Sequence, residues 1–179
     1  MRDGDGTPRM IGEHEIRIDT EVNGAAVSTT VPSHLLLIDF LRDRLELTSV
    51  KRGCDVEVCG ACTVLVGGLP VSSCCYLTAD VDGKSVQTCE GMGATPEGAR
   101  LQDAFLEHGA LQCGYCTPGM LMAALSLVRR SPDASDEEIR QYMSGNLCRC
   151  TGYSKIVDAV RTGLGRGPGR VGQAPTRAS

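Results

Sequence analysis

Ten cysteines stand in this 179-residue chain, and eight fall into two groups of four: Cys54, Cys59, Cys62 and Cys74, then Cys113, Cys116, Cys148 and Cys150. The first group opens with C-x4-C-x2-C spacing, in Cys54-Asp-Val-Glu-Val-Cys59-Gly-Ala-Cys62, and Cys74 follows after eleven residues. That is the plant-type arrangement in which four thiolates hold a [2Fe–2S] cluster. A four-residue gap followed by a two-residue gap lets three sulfurs converge from one tight loop while a neighbouring strand supplies the fourth. Gly53 and Gly60 flank these cysteines and lack a Cβ, so backbone N–H groups can come close to the cluster sulfurs.

The second group carries C-x2-C and C-x-C spacing and would by itself suit structural zinc equally well, because zinc also accepts four thiolates. Beside the first group it reads as a second iron–sulfur centre. Cys75 and Cys89 complete neither tetrad and read as small buried hydrophobes. Adjacent Cys74 and Cys75 would point to opposite faces of a strand, so only one can serve, and the eleven-residue gap favours Cys74. His14, His34 and His108 all lie outside the cysteine loops, which argues against a Rieske centre with two imidazoles on one iron. No paired general acid and base, nucleophile–base arrangement or open metal position stands out, so no catalytic residue is expected in this chain.

The elements around the first tetrad suggest a small mixed sheet under one helix. His14 to Thr20 and Ala25 to Val31 alternate in polarity on either side of Asn23-Gly24, the strongest short hairpin signal. Ser33 is a candidate N-cap for a helix reaching about Leu45, with Leu37, Ile38, Leu41 and Leu45 as its apolar stripe. Thr63 to Val66, a Gly67-Gly68 turn and a return through Val71 to Cys74 follow, with Pro70 marking an edge. Ser85 to Thr88 would be the last strand.

After a Gly- and Pro-containing stretch from Gly91 to Pro96, read as a linker, the apolar period becomes helical. Leu101, Ala104 and Phe105 mark one helix; Leu121, Ala124, Leu125 and Val128 mark a second, with Thr117 as N-cap and Pro118 at its first position. Ser135 to Glu138 spells a capping box for a third, ended by Gly145, and Ser154 caps a fourth carrying Ile156, Val157 and Val160. In an up-down-up-down arrangement the first and third connecting loops share one end, which would unite Cys113 and Cys116 with Cys148 and Cys150. The second helix would begin beside Cys116 and turn its positive dipole end towards the thiolates. The expected fold class is therefore α+β: a ferredoxin-like domain over 13–92, an all-α domain over 93–163, a flexible N-terminus over 1–12 and a disordered tail over 164–179.

A net charge of −4 gives no basis for a nucleic-acid surface, and no run approaches the length of a membrane span. Met1 to Met10 has neither an apolar core nor paired arginines, so no secretory or twin-arginine signal is expected, and the expected location is the cytoplasm. Disulfides are rare there, which favours metal ligands over a bridge framework.

Three segments in this order, Gly53-Cys54 to Val64, Gln112-Cys-Gly-Tyr-Cys-Thr-Pro-Gly119 and Asn146-Leu-Cys-Arg-Cys-Thr-Gly-Tyr153, closely resemble the iron–sulfur subunit of the molybdenum hydroxylases, the xanthine dehydrogenase and aerobic carbon monoxide dehydrogenase family. The resemblance covers roughly residues 13 to 163. It implies a β-grasp domain with the distal cluster at Cys54, Cys59, Cys62 and Cys74, and a four-helix bundle with the proximal cluster at Cys113, Cys116, Cys148 and Cys150. It also implies a large partner subunit with a molybdenum–pterin cofactor, a medium one with FAD, and a heterotrimer or its dimer. Gln112 and the Cys150 sulfur would approach the pterin, and electrons would pass from it through both clusters towards FAD or another acceptor. Many relatives have Gly where this chain has Glu57; a left-handed backbone there would cost a side chain roughly 1–2 kcal/mol. Because the helical region does not run into further domains, the resemblance suggests a separately encoded small subunit. An N-heterocycle or aldehyde oxidase is preferred, since Cys54-Asp-Val-Glu-Val-Cys59 lacks the Asp-Thr-Ser wording common in the carbon monoxide enzymes. Two rivals remain open: a free ferredoxin-like carrier and a zinc-stabilised interaction module without a redox role.

Overall fold

Three strands open the chain: Met10–Gly12 (β1), Glu15–Val22 (β2) and Ala25–Pro32 (β3). The computed structural model describes residues 10–12 and 14–167. Ile16, Ile18, Thr20 and Val22 are buried and alternate with exposed neighbours, the pattern of a strand with one face on a core. Asn23 and Gly24 turn the hairpin with φ of 51° and 85°, the two positive values that a type I′ turn requires. β1 pairs with the start of β2, so the sheet begins inside the stretch expected to be flexible; the rest of that expectation, on residues 1–9, lies outside the described residues.

The expected helix after Pro32 is shorter and differently capped. It starts at Leu37–Asp39 (α1) and widens at once into a π-helical turn over Phe40–Arg44. Ser33 does not cap it: the Ser33 N–H bonds back to the His14 carbonyl, and Leu36, in extended conformation and bridged to Leu77, holds the cap position. Backbone bonds of Ser33 to His14, of Leu35 to Pro32 and Thr78, and the Leu36–Leu77 bridge occupy the residues before Leu37, which leaves the helix only its apolar end. That end buries Leu37, Ile38, Phe40 and Leu41 against Ile18, Val31 and Val64.

Thr63–Val66 (β4), Leu69–Ser72 (β5) and Ser85–Gln87 (β6) complete a mixed sheet in the order β1-β2-β6-β4-β5, with β3 on the free side of β2. β2 and β6 run parallel and the other pairs antiparallel. Pro70 lies on β5 at an edge, as its missing N–H demands. All four residues of β4 are buried because each face meets a core: Val64 and Val66 join the sheet–α1 cluster and Leu65 joins the helical one. A strand covered on both faces reads as a continuous apolar run, which is what Val64-Leu-Val66 is.

The stretch from Gly91 to Pro96 is packed rather than a loose linker. Cys89–Met92 forms a short helix (α2), Met92 is fully buried in the helical core, and a Cβ on Gly91 would lie 2.4 Å from the Asn23 side-chain oxygen. Pro96–Glu107 (α3), Thr117–Arg130 (α4), Asp136–Met143 (α5) and Ser154–Gly163 (α6) follow. α3 packs on α4 and α6, α5 packs on the same two, and α4 also lies against β4. Both sides of the capping box at Ser135 and Glu138 form. Two expected caps move by one residue: Cys116 holds the cap position of α4, and Tyr153, with φ of 69°, that of α6. Leu164 to Arg166 still bond back to α6, so the chain stays packed past the expected start of the tail; residues 168–179 of that tail lie outside the described residues. Among the described residues no helix is long and apolar enough to cross a membrane.

Candidate metal centres

The Cys54 end of the first tetrad is held by its own backbone. Between Arg52 and Gly60 the chain coils irregularly, with Asp55, Glu57 and Gly60 at φ of 55°, 60° and 69°. The N–H groups of Val58 and Cys59 each point at the Cys54 sulfur at 3.3 Å. Backbone N–H groups of Val56, Cys59 and Val58 thereby stabilise its thiolate and bring the Cys54 thiol down to about 6. Glu57 does take the left-handed backbone, at the strain cost of roughly 1–2 kcal/mol for a residue with a Cβ. Gly53 is required by contact: a Cβ there would sit 2.9 Å from the Cys59 sulfur.

Cys62 leads into β4 and Cys74 lies in the tight turn Ser73–Cys75 after β5, so the expected strand ends at Ser72. The turn still separates the adjacent pair, with Cys74 buried, but Cys75 is exposed and so is not the small buried hydrophobe expected, because the chain leaves the strand before it and turns its side chain outward. Burial, and then the facing Cys74 thiol, push the Cys62 thiol up to about 12. Cys75 is not remote from the loop: its sulfur lies 3.7 Å from that of Cys74 and 3.8 Å from the Asp55 carbonyl. Cys89 is partly buried against the helical core, which keeps its thiol above the ordinary value.

The second tetrad is assembled from two loops 32 residues apart, counted from Cys116 to Cys148. The α3–α4 loop supplies Cys113 and Cys116, and the α5–α6 loop supplies Cys148 and Cys150. The Cys150 and Cys113 sulfurs are 3.7 Å apart, and Cys116 faces Cys148. Burial raises Cys116 to about 12, with Cys148 adding to the effect. Burial also acts to raise Cys148, but hydrogen bonds from the Thr151 hydroxyl, the Thr151 N–H and the Cys150 N–H outweigh it and leave that thiol below its ordinary value. Gln112 lies on the surface beside this tetrad and donates from Nε2 to the Cys150 carbonyl at 3.0 Å.

Spacing did not reveal how the two loops are joined. The Leu147 N–H donates to the Cys59 carbonyl at 2.8 Å, and the Asn146 side chain donates to Gly60 O at 2.8 Å and Thr63 Oγ1 at 3.2 Å. From the other loop the Tyr115 hydroxyl donates to the Arg52 carbonyl at 2.5 Å. Gly119 of α4 rests on Gly60, where a Cβ would come within 2.2 Å of the Gly60 oxygen. Asn146, Tyr115 and Tyr153 sit inside the quoted cysteine segments, and that position was the only sequence signal of their part.

These donors suit thiolate-bound iron. The cradle at Gly53 is closed to any side chain, and N–H groups converge on a sulfur. Sulfurs face one another as Cys54 with Cys59, Cys62 with Cys74, Cys113 with Cys150 and Cys116 with Cys148. Among the described residues no three ligating side chains converge as a site for one ion.

Comparison with known proteins agrees with both halves. Residues 20–92 match the 2Fe-2S iron-sulfur cluster binding domain, and residues 88–161 match the [2Fe-2S] binding domain. The nicotinate dehydrogenase small FeS subunit of Eubacterium barkeri is 48% identical over 153 residues, covering 86% of this chain and 98% of that one. The xanthine dehydrogenase iron-sulfur-binding subunit of Escherichia coli O157:H7 is 42% identical over 147 residues, covering 81% and 92%. Among solved structures, quinoline 2-oxidoreductase from Pseudomonas putida 86 superposes with a TM-score of 0.79 at 42% identity, over 85% of this chain and 94% of the matched one.

Proposed function

Because the chain belongs to the iron–sulfur subunit family of the molybdenum hydroxylases, which are oxidoreductases, we propose that it carries electrons from a molybdenum–pterin site in a large partner subunit to FAD in a medium subunit or to another acceptor. The observation that carries this reading is the facing of thiols in pairs within each of two tetrads that are hydrogen-bonded to each other through Leu147 and Cys59. Two thiolates per metal suit a two-iron cluster, whereas one zinc would draw all four sulfurs together. Cys54, Cys59, Cys62 and Cys74 would hold one cluster and Cys113, Cys116, Cys148 and Cys150 the other. When bound, the two [2Fe–2S] clusters supply one-electron carriage.

The chain's own work is positional and electrostatic. Backbone N–H groups around Cys54 offset negative charge on its sulfur, the Asn146 and Leu147 hydrogen bonds fix one loop against the other, and Gln112 presents an exposed amide beside Cys150. In this reading Gln112 and the Cys150 sulfur meet the pterin. The sheet with α1 is a β-grasp domain over 13–92, and α3 to α6 form a four-helix bundle over 93–163. The assembly is a heterotrimer or its dimer in the cytoplasm. An N-heterocyclic substrate is supported by the relatives' names, nicotinate dehydrogenase and quinoline 2-oxidoreductase.

Expression with candidate large and medium subunits tests the reading. The chain should return with the large partner at fixed ratio, with visible absorption and equal iron and acid-labile sulfide. Isolation alone with its clusters would favour the free carrier, and a colourless zinc protein would end the electron-transfer reading. In the assembled enzyme Gln112→Ala should keep both clusters yet slow their reduction by substrate in rapid mixing. An unchanged rate would remove Gln112 from the pterin contact.

A further inference from the structure

The α5–α6 loop contains a side-chain relay that neither spacing nor the family matches assign. Thr151 donates to the Cys148 sulfur twice, from its hydroxyl at 3.1 Å and from its N–H at 3.4 Å. Its oxygen in turn accepts from the Tyr153 N–H at 3.4 Å, which leaves the hydroxyl hydrogen free to point at the sulfur. Gly152 and Tyr153, at φ of 67° and 69°, fold the chain back so that the relay can close. The Tyr153 ring then locks it: its hydroxyl accepts from the Cys148 N–H at 2.9 Å and donates to the Asn146 carbonyl at 3.1 Å. Asn146 is anchored on Gly60 and Thr63, so the relay is braced from outside its own loop.

We propose that Thr151 is a positioning and tuning residue for the cluster of the second tetrad, whose hydroxyl hydrogen bond to the Cys148 sulfur raises that cluster's reduction potential. The inference rests on the electron-transfer reading above. One-electron reduction leaves more negative charge on the cysteine sulfurs. A donor aimed at a sulfur therefore favours the reduced form over the oxidised one. The Cys54 sulfur of the first tetrad differs in kind: the Val58 and Cys59 N–H groups that point at it belong to the backbone, and no side-chain substitution removes them. Thr151 is thus a place where a point substitution can move one cluster and spare the other.

The experiment is a redox titration of the assembled enzyme, with dithionite as one-electron donor and electron paramagnetic resonance resolving the two clusters. The signal lost in Cys148→Ala identifies the second tetrad. Thr151→Val keeps the branched shape and removes the donor. Its reduction equilibrium at that signal should fall about tenfold, which for a one-electron couple is about 59 mV, while the other signal stays in place. Thr151→Ser restores the hydroxyl and should restore the potential. An unmoved potential in Thr151→Val, an equal shift of both signals, or a serine variant that matches valine would each overturn the proposal. Should valine prevent loading, Thr151→Ser against Thr151→Ala makes the same comparison at reduced bulk. Iron and sulfide content keeps the two ideas apart: absent clusters refute the electron-transfer reading, whereas full clusters with unmoved potentials refute only the role of Thr151.

Discussion

The two cysteine sites solve the same problem by different means. In the first, one nine-residue segment from Arg52 to Gly60 coils so tightly that its own N–H groups reach the Cys54 sulfur, and glycine is needed at Gly53 for lack of room. In the second, each loop brings two thiols, and the Cys148 sulfur is served by the Thr151 side chain, itself placed by Tyr153. The Cys54–Cys59 part of the first site can form wherever its segment is correctly coiled, and the β4–β5 hairpin then brings Cys62 and Cys74. A site made by two loops exists only when the helices that carry them are docked. The seam at Leu147–Cys59 and Asn146–Gly60 ties the fate of the first to the second.

The most severe way to probe this contrast is to remove ligands. Cys74→Ala should cost one whole cluster, about half of the iron and sulfide, while Cys75→Ala should leave the content intact. Because the Cys75 sulfur lies so close to the same loop, full iron with an unaltered spectrum in Cys74→Ala would transfer the ligand role to Cys75.

A change at the seam should do less but touch both sites. Gly60 has φ of 69°, and a Cβ there would lie 2.5 Å from the Asn146 Nδ2 and 2.9 Å from its Cα. Gly60→Ala therefore combines left-handed strain of roughly 1–2 kcal/mol with overpacking of roughly 1–3 kcal/mol. Faster hydrogen exchange at the Leu147 N–H, with weakened spectra from both clusters, is the expected result. Damage confined to the first cluster would mean that the seam does not couple them.

Next in size is the clamp behind the second loop. Arg161 on α6 is 7% exposed and pairs through Nε with Asp136 of α5 at 2.9 Å and through Nη1 with Asp158 at 2.5 Å. Arg161→Ala leaves both carboxylates without their partner. The Asp136 side chain keeps 42% exposure, so the loss is held to about 2 kcal/mol. A melting temperature lower by roughly 4–8 °C follows for a chain of this size. The second cluster should be lost first on heating, and loss of the first before it would reverse the contrast between the sites.

The smallest effect is a pH dependence from the same clamp. The Arg161 hydrogen bond holds the Asp136 carboxyl below the usual range, and the Ser135 cap does the same for Glu138. A carboxylate depressed on folding contributes stability above its unfolded pKa of about 3.9–4.3. That contribution fades as pH falls through the folded value. Asp136→Asn should thus melt below wild type at neutral pH, and the gap should close as the solution is acidified below about pH 4. A gap independent of pH would show that charge at Asp136 does not matter.

Cysteine spacing and local period already determined much of this protein. The Asn23-Gly24 hairpin, the Gly67-Gly68 turn and the Ser135 capping box all depend on residues within a few positions of one another, so they are written in order along the chain. The caps misplaced at Ser33, Thr117 and Ser154 show where that reading fails. At Ser33 the backbone N–H is taken by a distant partner, at Thr117 the neighbouring cysteine holds the cap position, and at Ser154 a left-handed tyrosine does. Only the tertiary structure decided that Leu65 serves the opposite core from Val64, that Met92 packs the supposed linker, and that Asn146 carries one metal loop onto the other. Each of these depends on a partner far away in sequence, reached only when two apolar faces leave water together. No local spacing can encode which face arrives.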